Sequence, residues 1–165
     1  MSMLGIVFDD LEGVFGFLDE NKEPELFDFG ELYEMQGQNQ RCMLRRGMYH
    51  GLCSEKTEKE AYDIELPIDD TKLFSYHVQQ LMSEVGELLD ADKRWKNFRN
   101  GKYDREQKLD ELADCFIVLM NIAMFSGYTT EESFTAVAKK IAKVSDRIQH
   151  ECPRKEVRKV DKDKK

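Results

Sequence analysis

Apolar residues recur at steps of three and four along three stretches of the chain. Phe74, Val78, Leu81, Val85 and Leu88 form the first stripe, with His77, Gln80, Glu84 and Glu87 as a polar stripe beside it. Leu109, Leu112, Ala113, Phe116, Ile117, Met120 and Ala123 form the second, and Phe134, Val137, Ala138, Ile141, Val144 and Ile148 the third. This is the helical period. Start and stop residues agree with it. Asp69 and Asp70 can cap the first helix, which fades near Asp92; Asp104 opens the second, and Gly127 stops it. Thr129 and Glu132 have capping-box spacing before the third, which Pro153 ends. A further helix is predicted from about Phe27 to Arg45. Residues 46–70 read as a connector broken by Gly47, Gly51 and Pro67, and 93–103 as a basic, aromatic connector turning at Asn100-Gly101. Residues 1–25 show no period. With no hairpin signature and no internal repeat, the pattern predicts an all-α antiparallel helical bundle. Its parts are an acidic arm (1–25), a helical domain (26–152) and a basic tail (153–165).

Charge sharpens this division. The formal net charge is -8, yet residues 1–34 alone hold ten acids against Lys22, a balance of -9, so the rest is near neutral at +1. Arg154 to Lys165 carry seven bases against three acids, as expected of a solvated end. An acidic chain of this kind is not expected to bind nucleic acid specifically. Neither a membrane-length apolar run nor a signal-peptide pattern appears, so a cytoplasmic location is expected. The four cysteines, at 42, 53, 115 and 152, have no CxxC spacing and make no zinc pattern with the scattered histidines. All four read as reduced thiols, with Cys115 a small core residue.

The chemistry concentrates in two acidic pairs, Glu84/Glu87 and Glu111/Asp114. Each pair is spaced by three and so leaves one side of its helix. A single such pair is usually a solvated face. If the two helices are antiparallel neighbours, the two pairs, each flanking an apolar stripe, converge and repel one another unless cations neutralise them; a metal site and a solvated acidic face both stay open on these residues alone. Mg²⁺ suits an all-oxygen set, with Mn²⁺ as a substitute. Arg94, Lys96, Arg99 and Lys102 lie between the pairs, with Trp95 and Phe98 offering faces for a base; a core role for both aromatics stays open. Lys139, Lys140, Lys143 and Arg147 line the last helix, as phosphate ligands or as a solvated face. Asn121, two turns after Asp114, reads equally as a substrate ligand or a satisfied buried residue. No Gly-rich phosphate loop, Ser/His/Asp order or HExxH is present, so phosphorus chemistry here would depend on metals and water.

These motifs resemble the all-α NTP pyrophosphatase superfamily, which includes MazG-like enzymes and dimeric dUTPases. Glu84-Val85-Gly86-Glu87 followed by Glu111-Leu112-Ala113-Asp114 is similar to its ExxE…ExxD hallmark. Leu32-Tyr33-Glu34-Met35-Gln36 with Asn39 resembles the base-facing motif of the dUTPase branch, and Trp95-Lys96-Asn97-Phe98 its segment after ExxE. The resemblance spans roughly residues 27–150. It implies two or three Mg²⁺ ions on Glu84, Glu87, Glu111 and Asp114, with Glu84 and Glu87 as the catalytic carboxylates. It implies cleavage between the α- and β-phosphates, giving a nucleoside monophosphate and pyrophosphate. Gln36, Asn39, Trp95 and Asn121 would then face the base or sugar, and Lys96, Lys140, Lys143 and Arg147 the phosphates. Homodimers or dimers of dimers with composite sites are implied as well. Ser83 stands where many MazG-like members have a further Glu, and Val144 where Asn is common. Substrate breadth therefore stays open, between a general (d)NTP enzyme and a strict dUTPase. A non-catalytic helical interaction protein is the rival from another class.

Overall fold

The computed structural model describes residues 28–92 and 104–151. The elements are α1 (Phe29–Arg45), α2 (Glu55–Lys59), α3 (Thr71–Ala91), α4 (Arg105–Phe125) and α5 (Thr130–Glu151). Among the described residues there is no strand; Asp69 and Ser126 make one isolated antiparallel bridge. The all-α expectation is met. No helix of the described residues is long and apolar enough to cross a membrane. The acidic arm and basic tail predicted at the ends lie outside the described residues.

Helix boundaries follow the capping residues closely. Asp28 and Glu31 form a reciprocal capping box at the start of α1, each side chain bonding the other's backbone N–H. Asp70 caps α3 and Asp104 caps α4. Gly127 follows α4 with φ +76°, the left-handed conformation that glycine adopts without strain. A Cβ there would meet the Asp69 backbone only at an ordinary contact distance of 3.5 Å, so it is the positive φ that calls for glycine at this turn.

The chain divides into two compact units, one running to Thr130 and the other from Glu131. In the first, α3 and α4 pack together and α1 lies against α4. The segment expected to be a plain connector, 46–70, folds onto this framework. It contains the single-turn helix α2 and buries Tyr49, Cys53, Ala61 and Ile64 in a cluster with Leu44, Leu73 and Phe125. Among the described residues the second unit holds helix α5, whose apolar residues Val137, Ile141, Val144 and Ile148 are exposed.

The inward faces differ from those expected. On α3 the buried line is Leu73, His77 and Ala91, while Phe74 and Val85 of the predicted apolar stripe are exposed. His77 is fully buried rather than beside the core, Gln80 and Glu84 are half-buried like Val78, Leu81 and Leu88, and Glu87 is exposed. On α4 the buried residues are Cys115, Val118, Asn121, Met124 and Phe125, whereas Leu109, Leu112, Ala113, Phe116 and Ile117 are exposed. From Leu112 onward α4 is apolar on almost every side, so its period could not choose a face.

Candidate metal and nucleotide site

Local chemistry first fixes the two helices that carry the acidic pairs. The Asp70 carboxylate is buried and collects four donors. The N–H groups of Lys72 and Leu73 reach one oxygen at 3.0 and 3.1 Å; the Ser54 N–H and the Thr57 hydroxyl reach the other at 2.9 and 2.5 Å. Burial opposes its ionisation, but the bonds from Thr57, Ser54 and Leu73 prevail and hold the carboxyl below its ordinary value. Beside this cap the main chains join. The Ile68 N–H donates to the Met124 carbonyl (2.9 Å) and the Asp70 N–H to the Phe125 carbonyl (3.0 Å), fastening the start of α3 to the end of α4. At the opposite end the Lys108 ammonium donates to the Asp92 carboxylate at 2.5 Å.

Between these ends, Glu84, Glu111 and Asp114 converge. One carboxylate oxygen from each lies within 4.8 Å of the other two. Glu84 and Glu111 are half-buried and Asp114 is exposed, so the group opens to solvent on one side. Glu87 stands outside this threefold group, exposed, with the Ser83 hydroxyl 3.5 Å from its carboxylate. Burial first, and then the charges of Glu87, Asp114 and Glu111, push the Glu84 carboxyl above its ordinary value. The same field reaches the neighbouring thiol: burial and then Glu84, Asp114 and Glu111 keep Cys115 more firmly protonated than usual. Among the described residues Cys42, Cys53 and Cys115 are free thiols; Cys152 lies outside them.

A second polar assembly connects α1 to α4. The Gln36 amide donates to the Asn121 side-chain oxygen at 2.7 Å, and the Asn39 amide donates to Gln36 at 3.2 Å. Gln36 and Asn121 are buried, Asn39 exposed. The structure therefore gathers three of the residues expected at the base, though the first two are engaged with each other. Nearby chemistry that the sequence did not single out centres on His77. Its Nδ1–H faces the Gln80 side-chain oxygen at 2.7 Å, its ring stacks on Phe125 at 5.1 Å, and Nε2 lies 3.4 Å from the Tyr49 hydroxyl, which itself donates to Gln40. Burial drives the His77 pKa down against the opposing Gln80 contact, so the ring is neutral at pH 7.

Trp95 and Lys96, with the rest of their basic connector, lie outside the described residues. Lys140, Lys143 and Arg147 are exposed along α5. A family model described as dUTPase matches residues 54–161, well over half of the chain. The chain belongs to this dUTPase family. Membership makes it a hydrolase acting on nucleoside triphosphates. No curated protein and no solved structure matches it. The dUTPase match takes in α2 to α5 and both acidic pairs; α1, with Gln36 and Asn39, precedes it. Two further residues escaped sequence reasoning in this dUTPase-family chain. Lys108 and Asp92 carried a signal only as charges at unfavourable helix ends, which a periodicity search passes over.

Proposed function

We propose that the protein is a Mg²⁺-dependent nucleoside triphosphate pyrophosphohydrolase that cleaves between the α- and β-phosphates, with dUTP as first-ranked substrate. The observation that carries this reading is the meeting of Glu84, Glu111 and Asp114 from two helices within 4.8 Å. The donor set fits a hard divalent ion: all oxygen, anionic, half-buried and open on one side. Such ions, when bound, neutralise charge on the attacking and leaving oxygens of the phosphate chain. Mn²⁺ is expected to substitute.

The chain's own part is orientation. Glu84, Glu111 and Asp114 would hold the cations, with Glu87 completing the set at the solvent side. Glu84 and Glu87 take the catalytic role, accepting the proton of the attacking water; the Ser83 hydroxyl steadies Glu87. Trp95 would stack on the base, and Lys96, Lys140, Lys143 and Arg147 would bind phosphates. Gln36, Asn39 and Asn121 would bound the sugar and base through their shared hydrogen-bond chain. We further place the enzyme in the cytoplasm, as a homodimer or dimer of dimers, acting on nucleotide pools.

Incubation with Mg²⁺ and a panel of (d)NTPs tests the reading. Monophosphate and pyrophosphate are expected, fastest from dUTP. Intact nucleotides throughout, with Mn²⁺ also tried, would refute it. Equal rates across the panel would keep the reaction and remove the dUTP preference. Glu84→Gln and Asp114→Asn should each lower kcat by at least about a hundredfold while leaving the helical circular dichroism unchanged.

A further inference from the structure

We propose that the Asp92–Lys108 pair is a positioning clasp that sets the register of the acidic group and thereby its affinity for divalent ions. Each residue is badly placed for its own helix. Asp92 is the C-cap of α3, where the negative end of the helix dipole disfavours an acid. Lys108 lies in the first turns of α4, where the positive end disfavours a base. The contact between the two side chains offsets both unfavourable placements. They meet at 2.5 Å, with the Lys108 and Asp92 side chains only 28% and 19% exposed.

The geometry gives that contact a task. Lys108 precedes Glu111 by three residues, one turn along the same side of α4. Asp92 follows Glu84 by eight residues, about two turns along α3. The ion pair and the acidic group therefore lie on one α3–α4 seam, the pair toward the connector and the group further in. Without cations the carboxylates repel and press α3 away from α4. The clasp opposes this at the nearer end, so the ligand atoms stay gathered before any ion arrives. Its energy is realised as preorganisation of the site.

The sign of the effect separates this role from simple electrostatics. Lys108 is a cation close to a cation-binding group, so its charge alone weakens metal binding and its removal should tighten it. A clasp predicts the opposite. The inference rests on the metal reading above, and the experiment separates the two failures. Mn²⁺ binding to the full-length protein is titrated by electron paramagnetic resonance, without nucleotide, for the native protein, Lys108→Met and the charge-swapped Asp92→Lys/Lys108→Asp. Circular dichroism reports the folded fraction of each. The expected result is binding weakened roughly tenfold in Lys108→Met, the lower end for residues that orient metal ligands, and recovered in the swapped protein. Because the swap also relieves both helix dipoles, it should fold even if Lys108→Met does not. Native affinity or better in Lys108→Met, or a folded swap that binds as weakly as a disrupted pair, overturns the clasp alone. No Mn²⁺ binding by the native protein overturns the metal reading and the clasp together.

Discussion

Asp70 shows how much one side chain can organise. Its two oxygens start α3 and also tie down residues 54–57, so a buried charge is fully met by donors. Asp70→Asn keeps the shape but turns one acceptor into a donor facing donors. A loss of about 3 kcal/mol at pH 7 is expected, the scale of charged hydrogen bonds left unsatisfied; a loss under about 1 kcal/mol in urea denaturation would refute the account. The pH trend has a definite sign. The folded carboxyl lies below its ordinary value of 3.8, so its contribution is complete above that pH and disappears as pH falls through the lower folded value. The variant should lack this part of the acid limb. The sequence announced Asp70 as a cap, because Asp before an apolar-periodic run is a local signal. Its bonds to Ser54 and Thr57 were invisible, because they span the connector.

At the scale of elements, the existence and ends of the helices were legible and their inner faces were not. Caps and breakers act within four residues, whereas the choice of buried face depends on partners far along the chain. For α3 that choice buried Leu73, His77 and Ala91 and left Glu84 half-buried among like charges. The consequence is measurable. Glu84's carboxyl is raised, so its contribution to metal-free stability is complete below the ordinary 4.5 and is lost as pH rises through the higher folded value. This window lies above that of Asp70. The melting temperature in EDTA should fall with pH in this window, and Mg²⁺ should flatten the trend by pairing with the ionised group. Identical profiles with and without Mg²⁺ would count against the metal centre. The acidic pairs were legible because their spacing is local; the separation of Glu87 from the other three was not, since it reflects how α3 rotates against α4.

For the whole molecule, apolar surface is the outstanding quantity. Met82, Val85 and Leu89 on α3, Leu109, Leu112, Phe116 and Leu119 on α4, and the four apolar residues of α5 are all exposed. Exposed apolar side chains in such number, on the α3–α4 pair and separately on α5, mark association faces. The chain mass is 19.4 kDa, so light scattering at micromolar concentration should give at least twice that value, and Phe116→Glu should lower it. A monodisperse 19.4 kDa species for the native protein would rule out the proposed homodimer.

The fastening of α3 to α4 at both extremities has a mechanical consequence. Main-chain bonds to Met124 and Phe125 pin one end, and the Asp92–Lys108 pair pins the other. Two rods joined only at one end open like shears, and their free tips travel furthest. Rods joined at both ends can only bow, and the widest gap then falls between the joints, where Glu84 faces Glu111 and Asp114. Each joint shortens the span that is free to bow, so the carboxylates keep a bounded spacing even while their charges push outward.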